Sequence, residues 1–430
     1  MGVVITEVRV FDGVEPAAWT AVRIAAGVVQ ACGGSEIQVN GDDIVDGGGG
    51  TLLPGFIDAH VHLLPGVLQQ ALTFGVTTEL DLFSKPDLLA RASKEARGDA
   101  AAADLRSSGV GATAPGGHPS MMYAPFPYVT GPGDAEGFVD DRLAEGAAFL
   151  KVLYDAQGVG PFSWPSLDVA TVTALVDAAH ARGVLVVAHA TSAVAARDVV
   201  RAGVDVLAHV PIDAMHDELI EEVSARGVAV IGTLVTIDGF AGAPSGPALL
   251  ADPDLAPVIG PAWGEVLRAS TDRWRAPGMP DVTIAMRNIA RLTAAGVTVL
   301  AGTDAPNPGT LHGASLHREL ELLVAAGLTP GQALVAATSE PARVFGLRDR
   351  GRIEPGMRAD LLLIDGDPLA EIRDTRRIRA IWRGGVPCDR NRYVGSEAEA
   401  AGIAALEVQY QRVMEAAREL WPDGAPGGAA

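Results

Sequence analysis

The chain is 430 residues long, with 53 acidic against 33 basic residues and a formal net charge of −20. That length accommodates one large α/β unit with a smaller companion, and so acidic a chain argues against nucleic-acid binding, which needs a basic face. No run of about 18 apolar residues is long enough for a membrane span, no basic stretch ahead of an apolar core marks a secretion signal, and two cysteines, Cys32 and Cys388, cannot make a disulfide framework; a cytoplasmic protein with reduced thiols is the expectation.

Up to residue 54 the chain reads as short alternating segments, over 3–10, 19–24 and 27–31, closed by the glycine run at 47–50. Pro54-Gly55-Phe56-Ile57-Asp58-Ala59-His60-Val61-His62 then carries an apolar strand into two histidines. Alternate strand residues share a face, so His60 and His62 present two imidazoles together. That is what a borderline metal such as Zn²⁺ takes, although a solvated strand end explains the pair alone equally well. Four later apolar runs carry a polar group within them or at their C-terminal end: 148–154 holds Lys151, 184–189 ends in His189, 204–209 in His209 and 297–304 in Asp304. In a (β/α)₈ barrel that end of each strand is the catalytic face. Helical stretches at 167–182 and 193–202 alternate with these strands, which implies parallel pairing and an α/β class.

Lys151 is one of only three lysines, with Lys85 and Lys94. In the middle of an apolar strand its ammonium is costly and is pushed toward the neutral amine. A neutral amine can add CO₂ and become a carbamate, an anionic oxygen ligand able to bridge two metals. Snorkelling at a barrel rim is the plainer alternative.

The set PGFIDAHVH, FLKVLYD, VVAHA, VLAHV and AGTDAP resembles the amidohydrolase superfamily, in its binuclear, prolidase-like and imidazolonepropionase-related branch. The likeness continues through Leu328-Thr329-Pro330-Gly331-Gln332-Ala333-Leu334 and ends in the long run Asp349-Arg350-Gly351-Arg352-Ile353-Glu354-Pro355-Gly356-Met357-Arg358-Ala359-Asp360-Leu361. The resemblance implies a TIM barrel over 55–347; the alternating segments of the two chain ends, 1–54 and 348–396, read as one small β-sandwich beside it, and 397–430 as a C-terminal helix and tail. It implies two divalent metal ions, zinc foremost, with His60, His62 and Asp304 at one, His189 and His209 at the other, and carboxylated Lys151 bridging them. It further implies hydrolysis of an amide-type C–N bond in a small-molecule substrate by a hydroxide between the metals, with Asp304 as proton shuttle, and it allows a homo-oligomer. Deamination or lactone opening on the same scaffold, or a silent binding protein, are the alternatives; all six metal-ligand positions are filled, which argues against silence.

The substrate is less legible. After a third strand over about 109–114 come His118 and then Met121, Met122, Tyr123, Phe126 and Tyr128, a loop that either lines the pocket or packs on the barrel. In relatives a histidine placed like His118 contacts the substrate carbonyl or carboxylate, so His118 joins Asp304 and Lys151 as a candidate catalytic residue. Met121, Tyr123 and Tyr154 complete the candidate substrate contacts, Tyr154 only if the chain turns after the fourth strand. A seventh strand over about 228–235 leads into a long segment, 236–280, with Trp263 and Trp274, that reads as a lid. The second strand departs from Thr-Thr-x-Arg-Asp of prolidase-like relatives: Thr77-Thr78-Glu79-Leu80-Asp81 has no arginine, which weakens a dipeptidase reading and leans toward a bulky or aromatic, less charged amide, with an N-acyl amino acid or dipeptide as the other substrates in view. His180 and His216 read as surface residues, and His312 and His317 as flanking the helix after the eighth strand.

Overall fold

The computed structural model describes residues 2–156, 164–241, 245–273 and 281–420; Trp274 and the tail after Gly424 lie outside them. Eight strands follow one another around a closed parallel barrel. They are β1 (Phe56–Val61), β2 (Val76–Asp81), β3 (Asp104–Ser107), β4 (Leu150–Leu153), β5 (Val186–His189), β6 (Val206–Ala208), β7 (Ala229–Ile231) and β8 (Val299–Leu300). β1 to β3 and β4 to β8 form two continuous parallel ladders. Two seams join them. Ala112 pairs with Val152, its N–H donating to the Lys151 carbonyl at 2.8 Å, and Val61 pairs with Ala305, with His62 N–H donating to the Ala305 carbonyl at 2.7 Å.

The lumen is filled by residues that each strand contributes on its inward face, among them Ile57, Ala59, Leu80, Val187, Val206, Ile231 and Leu300, all with no solvent exposure. Outward-facing residues such as Phe56, Val76, Val152 and Val186 belong to a second, larger core under the helices. The third strand begins at Asp104, earlier than the apolar run at 109–114 suggests. Gly109 (φ 62) interrupts the extended chain there, and only Ala112 of the later run pairs. The seventh strand is likewise shorter than its apolar run: it stops at Ile231, and Leu234–Phe240 is already helical. Of the long segment that follows, Ser245–Ala251, Ala256–Ile259 and Pro261–Arg273 are helices.

Beside the barrel stand a four-stranded and a six-stranded sheet. The six-stranded one interleaves the two chain ends, because Thr51–Pro54 pairs antiparallel with Leu361–Ile364 and parallel with Arg9–Phe11. Ile5, Val22, Ile24, Leu52, Leu361 and Trp382 pack between the sheets as a separate core, so both ends build one sandwich. Cys32 and Cys388 are free thiols. Among the described residues no helix is long and apolar enough to cross a membrane.

Candidate metal centre

Strict alternation would send His60 and His62 to the face opposite Ile57 and Ala59. The ladder between β1 and β2 shifts register between Asp58 and Val61, as a bulge does, and the end of the strand is re-aimed. Both imidazoles reach the mouth, their ring centroids 5.3 Å apart. Behind them Asp58 is fully buried; it accepts from the Thr303 N–H at 2.9 Å, the Thr303 hydroxyl at 2.7 Å and the His60 N–H at 3.2 Å. It thereby ties the end of β1 to the chain leaving β8. Gly302 makes that approach possible: a Cβ there would lie 2.9 Å from the His60 nitrogen and 2.5 Å from Ile231.

Asp304 follows at φ 54, a left-handed conformation that a residue with a side chain adopts at a cost. Its Oδ1 lies 2.9 Å from His62 Nε2 and 3.2 Å from His60 Nε2, and its Oδ2 lies 3.8 Å from His209 Nε2. His209 Nε2 is 3.2 Å from His189 Nδ1, while its other nitrogen is held by the Thr233 hydroxyl at 2.7 Å. Lys151, on β4, shares the inward parity of Phe149 just before the strand and is 1% exposed, beneath the same mouth. His60, His62, Asp304, Lys151, His189 and His209 all line one cavity of about 250 Å³.

Electrostatics suit these groups to holding a metal. Burial, and then the neighbouring Lys151 and histidines, push His60 well below the ordinary imidazole range. Burial followed by His189 does the same to His209, and burial with Lys151 takes His189 down to about 3. The rings are therefore neutral near pH 7, the form that binds a metal. Burial pushes the Lys151 amine down to about 7, with the Asp304 carboxylate opposing. Lys151 Nζ and Asp304 Oδ1 are buried with no hydrogen-bond partner. Orphaned buried polar atoms are costly, and neutral ring nitrogens converging on a carboxylate oxygen form a donor set suited to a divalent cation. His60, His62 and Asp304 offer ligand atoms within 4.8 Å of one another.

The other candidates divide. His118 lines the cavity, its ring stacked 4.9 Å from that of His189; burial and then His189 push it well below the ordinary range. Met121, Met122 and Tyr123, on the short helix Ser120–Tyr123, line the same wall, whereas Phe126 and Tyr128 turn aside, Phe126 packing edge-on against Phe83 and Tyr128 tilted against Phe126. Tyr154 is a correction. The extended chain carries it to the outer face, where its hydroxyl donates to Asp198 at 3.0 Å, and it does not line the cavity. His180 pairs with Asp205 at the surface and His216 is exposed. His312 is buried against Glu79 at 2.7 Å, and His317 against Thr375 and the Phe74 carbonyl.

Several positioning groups escaped the sequence reading. Asp58 and Asp81 sit inside motifs that were noticed for other residues. The Asp81 carboxylate, which acts electrostatically on His62, accepts from Ser107 at 2.5 Å, from Ser84 at 2.7 Å and from the Leu63 N–H at 3.1 Å. Thr233 carries no local signal at all.

A sequence model of the amidohydrolase family matches residues 51–387. Imidazolonepropionase of Deinococcus deserti is 42% identical over 99 residues, 22% of this chain and 25% of the relative; the chain thus matches about a quarter of the length of that curated relative. Among solved structures, a Xaa-Pro dipeptidase with methionine bound in its active site superposes with a TM-score of 0.71 at 21% identity, covering 90% of this chain and 100% of that one. Phenylurea hydrolase B gives 0.69 at 21% identity, covering 91% and 97%. With the barrel, the bracketing sandwich and a family match over most of its length, this chain belongs to the amidohydrolase family.

Proposed function

We propose that the protein is a binuclear metal-dependent hydrolase that cleaves an amide-type C–N bond in an uncharged, bulky or aromatic substrate. The observation that carries the reading is the convergence of histidines, the Asp304 carboxylate and one buried amine, with orphaned atoms, at one mouth. His60, His62 and Asp304 would hold one divalent ion and His189 and His209 the other, zinc being suited to nitrogen and oxygen donors. Lys151 would lie between them: its neutral Nζ adds to the carbon of CO₂ and loses a proton, leaving a carbamate. When bound, such ions bring the pKa of water toward neutrality and polarise a carbonyl.

The protein's own residues do the rest. Asp304 takes the proton of the attacking water and delivers it to the leaving nitrogen, which makes it both base and acid. Thr303 and Asp58 fix its backbone. His118, neutral and stacked on His189, donates to the substrate carbonyl oxygen. Phe83, Met121, Tyr123, Trp164 and Phe240 supply apolar wall. A dipeptide, the class named for one fold neighbour, carries a carboxylate; a phenylurea, named for the other, carries no charge. No arginine lines the cavity among the described residues, so the walls favour the uncharged substrate.

The test is elemental analysis of protein purified without chelator and supplied with bicarbonate, followed by assay of aryl amides against dipeptides. The expected result is about two equivalents of a zinc-like ion per chain, with amine and acid released from the aryl amide. One equivalent overturns the two-ion site, free ammonia from an amidine or ring substrate favours deamination, and faster dipeptide cleavage overturns the substrate class.

A further inference from the structure

The family match ends at residue 387, yet the cavity does not. The helix Glu397–Leu420 crosses the barrel mouth, and Leu406, Gln409, Tyr410 and Val413 line the same cavity as the metal-ligand candidates. Their spacing of three and four residues is one stripe of a helix. On the opposite side Val408 is 52% exposed.

The helix is built to hold that position. Its start is fixed by Ser396, whose hydroxyl accepts from the Glu399 N–H at 3.1 Å, while the Glu399 carboxylate accepts from the Gly395 N–H at 2.5 Å. Gly402 lets it sit close: a Cβ there would lie 2.9 Å from the Pro65 carbonyl and 3.4 Å from Trp263. Pro65 belongs to the loop after β1, just past His62, so the helix is referenced directly to the candidate ligands. Farther along, the Gln409 amide reaches the Met122 sulfur at 3.9 Å, which joins the helix to the loop after β3.

We propose that this C-terminal helix is the distal wall of the substrate pocket, and that Leu406, Tyr410 and Val413 set how long and how bulky an apolar group the enzyme accepts, with Gln409 clamping the Met122–Tyr123 side. The inference rests on the amide-hydrolase reading for its substrate and deepens it: the ligands near Asp304 select the bond, and a segment outside the family match selects the group behind it.

The experiment measures kcat/KM of the zinc-loaded full-length protein on acetanilide and on the anilide of 3-phenylpropanoic acid. Val413→Trp fills the wall and lowers the long-to-short ratio about tenfold, the scale on which pockets discriminate apolar groups. Val413→Ala opens it and shifts the ratio the other way, and Val408→Trp, on the exposed face of the same helix, leaves it at the wild-type value. An unmoved ratio in both Val413 variants, or equal losses on both anilides, overturns the proposal. If the wild type cleaves neither anilide, amide hydrolysis itself fails, and binding of the uncharged fluorescent probe N-phenyl-1-naphthylamine decides the wall separately. Weakening in Val413→Trp but not in Val408→Trp supports it; equal binding by all three proteins, or none by the wild type, overturns it.

Discussion

At the N-terminal end of the barrel, Asp104 at the start of β3 receives Arg350 at 2.5 Å and Arg358 at 2.8 Å. Arg350 also donates to Thr78 at 3.0 Å and to Asp349 at 2.8 Å. Burial alone would raise the Asp104 carboxyl, but Arg350 beside it prevails and holds it well below the usual carboxylate range. At the C-terminal end, five histidines and a lysine line one cavity with the Asp304 and Asp155 carboxylates, and Lys151 Nζ finds no partner. Both ends bury polar groups. At the first end each of these guanidinium groups meets a carboxylate, and at the second the Lys151 amine meets none. That difference separates a clasp between domains from a site, and it is more informative than burial or pKa perturbation alone.

The contrast can be broken experimentally. Lys151→Ala should abolish metal retention and lower kcat/KM by about a thousandfold or more, with partial rescue by a short carboxylic acid and little change in melting temperature; a variant that keeps its metal and rate removes the bridging role. Asp104→Ala should do the reverse, because it removes the carboxylate that the Arg350 and Arg358 guanidinium groups share. We expect a loss of about 3 kcal/mol of stability by denaturant titration with metal content intact, and loss of metal instead would mean the two ends are coupled. His118→Ala should cut kcat/KM about tenfold or more while metal content stays at the wild-type value, and unaltered kinetics would return it to an inert wall position.

The smallest effect concerns Glu319, fully buried on the helix Ala314–Ala325, where burial pushes its carboxyl up from 4.5 to about 8 against the opposing Val235 N–H. The folded state keeps a proton that the unfolded state releases, so this group's contribution is full below about pH 4.5 and declines as pH rises toward 8. Glu319→Gln should therefore melt about 2 °C or more above the wild type at pH 8.5 and close to it at pH 4.5, measured by calorimetry at both values. A constant difference at the two pH values would place the effect in packing rather than protonation.

What could be read from the chain depended on whether the signal was local. His189, His209 and Asp304 each close an apolar run, so strand and ligand announce one another. β3 does not: Asp-Leu-Arg-Ser looks like a turn until Arg350, 246 positions away, satisfies Asp104. The run after residue 228 holds both a strand and the first turn of a helix, and an apolar run has no period that separates the two. Tyr154 obeyed simple alternation from Lys151 and so faces away from the site. The helix Glu397–Leu420 was legible as a helix, but nothing in its sequence says that it crosses the barrel mouth, since that depends on its docking at Pro65 and Trp263.

The antiparallel pairing of Thr51–Pro54 with Leu361–Ile364 also has a kinetic side. The ribosome releases the first half of the sandwich some three hundred residues before its partner strands exist. Through that interval the Thr51–Pro54 segment is an apolar edge in search of a ladder. Contacts of such long sequence separation form slowly and leave intermediates open to aggregation. Yield on overexpression should accordingly depend on growth temperature and chaperone supply more steeply than the stability of the finished protein suggests.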